Sequence, residues 1–309
     1  LGAYIVRRLL AIVVLAFGVS LIAFSIIHLI PGDPVIQMIG YGQSSADEIR
    51  NLHHQLGLDL PLPEQYVHWL GNVLHGDFGY SYYSSTPVSS LIAQNMPYTA
   101  ELAASALLVS LVFGLPLGVI AALCRGSIVD TLAMIISLAS LSIPDFWLGI
   151  LLITLFSVQF HVFPVFGGTS LTSIQSLILP ALALGTGTGG ITARFVRASV
   201  IEAATKQHVV TARSKGVPRN RVFTRHIFRN AILPVVTVIG LQIGFLLSGT
   251  VITEVVFARP GIGRLLVDSI LQKDYLTVQA LVLLITLIYT TINLIVDLLY
   301  PLIDPRIAY

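Results

Sequence analysis

The chain has 309 residues, 55% of them hydrophobic and only 10% charged, with a mean hydropathy of +0.87 and a formal net charge of +2. Soluble domains carry about a quarter charged residues, so this composition excludes an ordinary globular fold in water. Its single cysteine, Cys124, excludes an intrachain disulfide and any multi-cysteine metal site, and is expected as a buried small hydrophobe.

Six apolar runs are long enough to cross a bilayer as helices, near Leu9–Ile30, Leu102–Leu123, Val129–Val158, Leu177–Ala193, Ala231–Val256 and Leu276–Leu299. The predicted class is therefore all-α, a polytopic membrane protein with six transmembrane helices. The first run is too long for a signal-peptide core and no small-residue cleavage site follows it, so it reads as an uncleaved span. Lys and Arg set the orientation. With both termini inside, thirteen of the 17 fall on inner segments and only Arg50, Arg259, Arg264 and Lys273 lie outside. The N-in/C-in arrangement follows.

Residues 31–98 form a long outer segment between the first two spans. Ser45-Ala-Asp-Glu48 reads as a capping box opening a helix to Leu56, with Gly57 as its stop. Pro63 suits the first turn of a second helix, Glu64 to His75, with Tyr66, Trp69, Leu70 and Val73 on one face. Gly76–Ser81 reads as a turn or short extended piece, and Pro87–Asn95 as a third short helix.

In the third span, Pro144 of Ser142-Ile-Pro-Asp-Phe146 is expected to kink the helix. Asp145 lies well inside the apolar run. It is either a functional carboxylate facing an aqueous path or a cap at the proline break. The glycines of Gly185–Gly190 formally match G-x-G-x-x-G, but they sit in a span, where small residues let helices approach. No phosphate-binding loop, metalloprotease motif or nucleophile elbow is present, and His53-His54 lacks a third ligand. Phe257–Arg264 links the last two spans; Gly261 and Gly263 permit a tight reversal, in a loop that either dips toward the membrane or lies on the surface.

Nine of the 17 basic residues fall between Arg194 and Arg229, where Glu202 is the only acid. Val200–Lys215 reads as one helix closed by Gly216, and Pro218 opens a second. In the second, Phe223, Ile227 and Ala231 form an apolar stripe, and Arg221, Arg225 and Arg229 recur on another face. A positive-inside loop resting on anionic headgroups explains the charge. It does not explain the hinge or the two stripes.

Thr211-Ala-Arg-Ser-Lys-Gly216 and Arg225–Pro234 resemble the EAA loop of ABC importer permeases of the dipeptide/oligopeptide type. Ala212, Gly216 and Leu233-Pro234 match that pattern, whereas Val210 and Thr211 replace its Glu and first Ala. Glu202-Ala203-Ala204 is out of register. Pro31–Pro34, Leu56–Asp59, Gly76–Gly79, Ser142–Pro144, Pro260–Gly263, Asp297–Tyr300 and Asp304–Ile307 are similar to the B-type permease, in matching order along the whole chain.

The resemblance implies the type I ABC importer permease fold and no catalytic residue, cofactor or metal. The division of the chain is a first span over 1–30, an outer segment over 31–98 and a five-span core over 99–309 with a coupling loop at 200–229. The implied partners are a C-type permease, two cytoplasmic ABC ATPases, an extracytoplasmic substrate-binding protein and membrane lipids, with no nucleic acid. Coupling is expected at Val210, Thr211, Ala212, Arg213, Lys215, Gly216, Val217, Pro218, Leu233 and Pro234. Candidate pathway residues are Asp145, Gln242, Ser248 and Asn293. The implied cargo is di- or oligopeptides; the rival reading is an ion-gradient-driven secondary transporter or channel, for which no charge relay is apparent.

Overall fold

The computed structural model describes residues 2–29, 33, 35–36, 46–55, 57–81, 83–164 and 174–303. Among them the order is α1 (Gly2–Leu29), α2 (Ala46–Gln55), α3 (Leu62–Leu74), β1 (Tyr80–Ser81), β2 (Thr86–Pro87), α4 (Val88–Leu123) and α5 (Ile128–Ser142). Then follow α6 (Asp145–Gln159), α7 (Ile174–Thr205), α8 (Gln207–Ser214), α9 (Arg219–Val256), α10 (Ile262–Leu271) and α11 (Tyr275–Ile303). Five of these helices are individually long and apolar enough to cross a membrane, and the bent pair α5 and α6 is apolar enough to count with them, as either a broken span or a re-entrant loop. The capping box at Ser45, the Pro31–Pro34 block apart from Asp33, and the Asp304–Ile307 block lie outside the described residues.

The chain forms two compact units, Leu1–Pro97 with Gly261–Thr291, and Tyr98–Pro260 with Ile292–Tyr309. In the first, α3 docks on α1 through an aromatic cluster: the Phe24 ring lies 5.4 Å from Tyr66 and 5.8 Å from Trp69. Gln65, buried among them, donates to the Leu58 and Leu60 carbonyls and meets His28 Nε2 at 2.8 Å. Gly57 closes α2 at φ +67°, as expected of a helix stop. The His54 ring, 2.8 Å from Asp59, holds that carboxyl below the usual carboxylate range. The extended piece is a two-stranded antiparallel hairpin, with Tyr80 opposite Pro87. Its Ser81 hydroxyl donates to Asp274 at 2.5 Å, and Thr277 donates to the same carboxylate at 2.7 Å, which ties the hairpin to the start of α11. Val88, Ile92, Ile262, Ala280 and Leu281 form the apolar core of this unit.

In the second unit α7 is the central helix. Its glycines admit close neighbours: a Cβ added at Gly189 would lie 2.7 Å from the Phe113 ring, and one at Gly190 would lie 2.5 Å from the Ser137 carbonyl oxygen. On the facing helix a Cβ at Gly114 would meet the Gly189 carbonyl at 2.6 Å. The glycine run is thus a helix-packing surface, as small residues in membrane helices provide.

Several boundaries differ from the sequence reading. The short helix at Pro87–Asn95 and the second span are one helix, α4, which continues through Pro97 into the apolar run. The third span is broken and not merely kinked: α5 and α6 meet at 99°. Ile143 is pushed into the extended region before proline (φ −83°, ψ 121°), and Pro144, lacking an amide, becomes the N-cap of α6. Cys124 lies exposed just past the end of α4 and is not a core residue. The reversal after α9 is made at Ala258 (φ +48°), whereas Gly261 is extended and Gly263 is buried within α10.

The expected Val200–Lys215 helix is also divided, between α7 and α8, by an extended Lys206 (φ −65°, ψ 144°). Val200 and Ala203 are nine positions from Val209 and Ala212 respectively. On one straight helix such pairs face opposite ways at 100° per residue. The break lets all four enter one core, and all four are buried.

Candidate functional site

The basic loop folds as a packed unit. The end of α7, all of α8 and the start of α9 share a core of Val200, Ala203, Val209, Ala212, Val222 and Ile227, joined by Ala231 and Val235 further along α9. Between Val222 and Phe228 the backbone of α9 is π-helical. That wider turn explains why the buried positions run Val222, Ile227, Ala231, with a first step of five. The expected stripe therefore holds at Ile227 and Ala231, while Val222 replaces Phe223, which is half-buried beside it. Arg221, Arg225 and Arg229 all face outward. Asn230 Nδ2 donates to the His226 carbonyl at 2.7 Å and lies 3.3 Å from His208 Nε2, a polar link from α9 to α8.

The residues singled out for coupling separate into two groups. Val210, Thr211, Arg213, Lys215, Gly216 and Pro218 are exposed; Ala212 is 7% exposed and Val217 half-buried, both turned into the loop's own core. Gly216 sits at φ +75°, its amide bonded to the Arg213 carbonyl at 3.0 Å, while Val217 N–H reaches the Ala212 carbonyl at 3.2 Å. This paired closure, with an apolar contact from the residue after the glycine, needs the left-handed region that glycine enters at least cost. Leu233 and Pro234 lie further along α9, both exposed, with Pro234 inside the helix. The loop thus offers a short rigid helix with one outward face.

Of the candidate pathway residues, Gln242 is buried and occupied. Its Oε1 accepts from Thr192 at 3.1 Å, and its Nε2 donates to the Thr188 carbonyl at 3.2 Å. It fastens α9 to α7. Asp145 is half-buried at the start of α6, beside two glycines whose missing side chains leave room before it: a Cβ at Gly187 would lie 3.3 Å from Oδ1, and one at Gly249 would lie 4.0 Å from Oδ2. Ser248 is exposed and Asn293 half-buried.

Two charged clusters escaped the sequence reading. Arg197 grips Asp130 with Nε at 2.6 Å and Nη2 at 2.7 Å, pinning the start of α5 to α7; the same carboxylate accepts from the Gly126 amide at 2.9 Å. Near the junction of α9 with the following loop, Arg259 is fully buried, paired with Glu101 and 5.7 Å from the Tyr98 ring. Glu254, also fully buried, accepts from Thr99 Oγ1 at 2.6 Å. For the second cluster the sequence signals a need but not the partner: Glu101 and Glu254 are acids at the edges of apolar runs, where an unpaired charge is costly. Among the described residues no group of three or more His, Cys, Asp or Glu is placed to hold a metal ion.

Several helices long and apolar enough to cross a membrane, with a packed basic loop in the second unit, define a polytopic helical membrane protein. Residues 114–309 match the family described as the binding-protein-dependent transport system inner membrane component, and residues 1–103 match the N-terminal region described for such membrane components. The chain belongs to this family and is a multi-pass inner-membrane permease subunit of an ABC importer. It is 42% identical over 306 residues, covering 99% of both chains, to the glutathione transport system permease protein GsiC of Escherichia coli K12, and equally to that of Shigella dysenteriae. Its fold matches the crystal structure of an amino acid ABC transporter with histidines, at a TM-score of 0.55 and 16% identity, over 69% of this chain and 94% of that one.

Proposed function

We propose that this permease forms half of a translocation pathway for small peptides. A C-type permease supplies the other half, a binding protein delivers the cargo outside, and two ATPases drive the cycle from inside. The observation that carries this reading is the outward face of α8, held on a core of Val209, Ala212 and Val222. A short helix on a packed base suits a groove in a partner, which reads it through Val210, Thr211 and Arg213. Motion of the ATPases then reaches α7 and α9 directly, since both enter the same core.

In this reading the chain lies N-in/C-in, with residues 1–30 as the first span, 31–98 as the outer segment and 99–309 as the permease core with the coupling loop at 200–229. Asp145, Ser248 and Asn293 line the path, and Gln242 holds the helices around it. Asp145 is the group that meets a peptide's ammonium end. Glutathione, itself a small peptide, is the first cargo to test, because the 42% identical relatives are named for it. Reconstitution of the four-part system in liposomes decides: uptake of labelled glutathione or dipeptide that requires both ATP and the binding protein supports the reading, and uptake driven by an ion gradient alone refutes it.

A further inference from the structure

On the second unit, α5 and α7 leave a groove of about 630 Å³ between them, lined by Met134, Leu138, Ile191, Phe195 and Ala198 with Arg194 and Arg197. The two arginines are not equivalent. Arg197 is neutralised by Asp130 through two hydrogen bonds. Arg194 is exposed, and among the described residues no carboxylate pairs with it. The apolar floor continues onto a face that water does not normally wet: Leu138 and Ile135 are each 55% exposed and Phe195 46%. The groove therefore opens to the acyl region, with a single unneutralised cation at its rim.

We propose that this groove is a binding site for an anionic phospholipid, one acyl chain lying along Leu138 and Phe195 and the headgroup phosphate held by Arg194. Charge selects this occupant over a helix of the second permease. In the orientation proposed above, on which this inference rests, Arg194 lies at the cytoplasmic boundary, three residues before the Arg197–Asp130 pair. Membrane partners carry their own excess of Lys and Arg on that side, so a neighbouring helix brings like charge to Arg194. The cytoplasmic leaflet brings the opposite charge and attracts basic residues near its surface. A basic pocket between transmembrane helices is the geometry in which headgroups are captured.

The test uses the complete transporter complex, purified in mild detergent, stripped of lipid and exposed to vesicles of phosphatidylglycerol or phosphatidylcholine. Native mass spectrometry then counts retained lipid. Wild-type complex should retain phosphatidylglycerol at least tenfold over phosphatidylcholine. Arg194→Gln should reduce that preference at least threefold, Arg194→Lys should keep most of it, and Ala198→Phe should block retention by filling the groove. Arg229→Gln, exposed but away from the groove, should leave it unchanged, which separates a site from general charge. Equal retention of the two lipids, or an unaltered preference in Arg194→Gln, overturns the site. So does efficient crosslinking of Ala198→Cys, in a Cys124→Ser background, to the second permease in membranes. Lipid retention is read without transport, so failure of uptake assays would challenge the functional reading while leaving this one standing.

Discussion

Val217 donates its amide to the Ala212 carbonyl at 3.2 Å, and the two residues close α8 around Gly216 at φ +75°. A Cβ added at Gly216 would meet nothing within 4 Å. A methyl group at this position therefore meets no steric cost inside the chain; only the left-handed backbone does, at about 1 kcal/mol for alanine. Gly216→Ala should lower stability by about that amount, read as a small drop in the thermal midpoint of the purified complex. A larger residue such as Gly216→Trp should keep the protein in the membrane while abolishing peptide uptake and substrate-stimulated ATP hydrolysis, because the clash then lies with the ATPase. Undiminished transport in Gly216→Trp would remove this position from the docking surface.

The buried charge pair at Arg259 and Glu101 gives a second expectation. Arg259 has no exposed surface, and among the described residues its Nε and Nη1 lack hydrogen-bond partners. Glu101→Gln removes the opposing charge and leaves the guanidinium buried without it, which costs about 3 kcal/mol or more. Thermal unfolding of the variant complex should show a clear loss of stability, and Arg259→Met with Glu101→Gln should recover part of it.

Helix packing supplies a third. At Gly190 an added methyl would lie 2.5 Å from the Ser137 carbonyl oxygen, a backbone atom that does not yield cheaply. Gly190→Ala should destabilise by about 1–3 kcal/mol through overpacking. Alanine at Gly18, inside α1 where an added Cβ meets nothing within 4 Å, should instead stabilise by about 0.5–1 kcal/mol through helix propensity, as a melting comparison would show.

Ala258 holds a left-handed conformation at φ +48° at the end of α9. Its amide reaches the Val255 carbonyl at 3.1 Å and that of Arg259 reaches the Glu254 carbonyl at 2.9 Å, the same closure that Gly216 makes in α8. Replacing Ala258 with glycine relieves the strain at some entropic cost, so Ala258→Gly should stabilise by about 0.5 kcal/mol. A lowered thermal midpoint would contradict this.

Much of this architecture was legible because it rests on local or periodic signals. Apolar run length placed the spans, Gly57 and Gly216 marked helix ends through backbone freedom, and Pro144 marked the interruption. What escaped depended on contacts between distant residues. Nothing in the sequence around Lys206 breaks a helix; the break exists because Val200 and Val209 must reach one core from positions 180° apart. The π-helical turn that substitutes Val222 for Phe223 is likewise imposed by packing. Arg259 looked like one more outer cation, and only the fold brings Glu101 to it from 158 positions away. The EAA-like motif carries no information on burial, so it does not reveal that Ala212 lies in the core beneath the exposed side of α8.

That distinction gives the most direct test of the coupling role. In a Cys124→Ser background, single cysteines at positions 209 to 214 would be crosslinked to the ATPase subunits in assembled transporter. The exposed face predicts efficient crosslinking from Val210, Thr211 and Arg213, and little from Val209 and Ala212, which are 0% and 7% exposed. Crosslinking that is uniform across the helix, or absent from positions 210, 211 and 213, would contradict α8 as the ATPase contact.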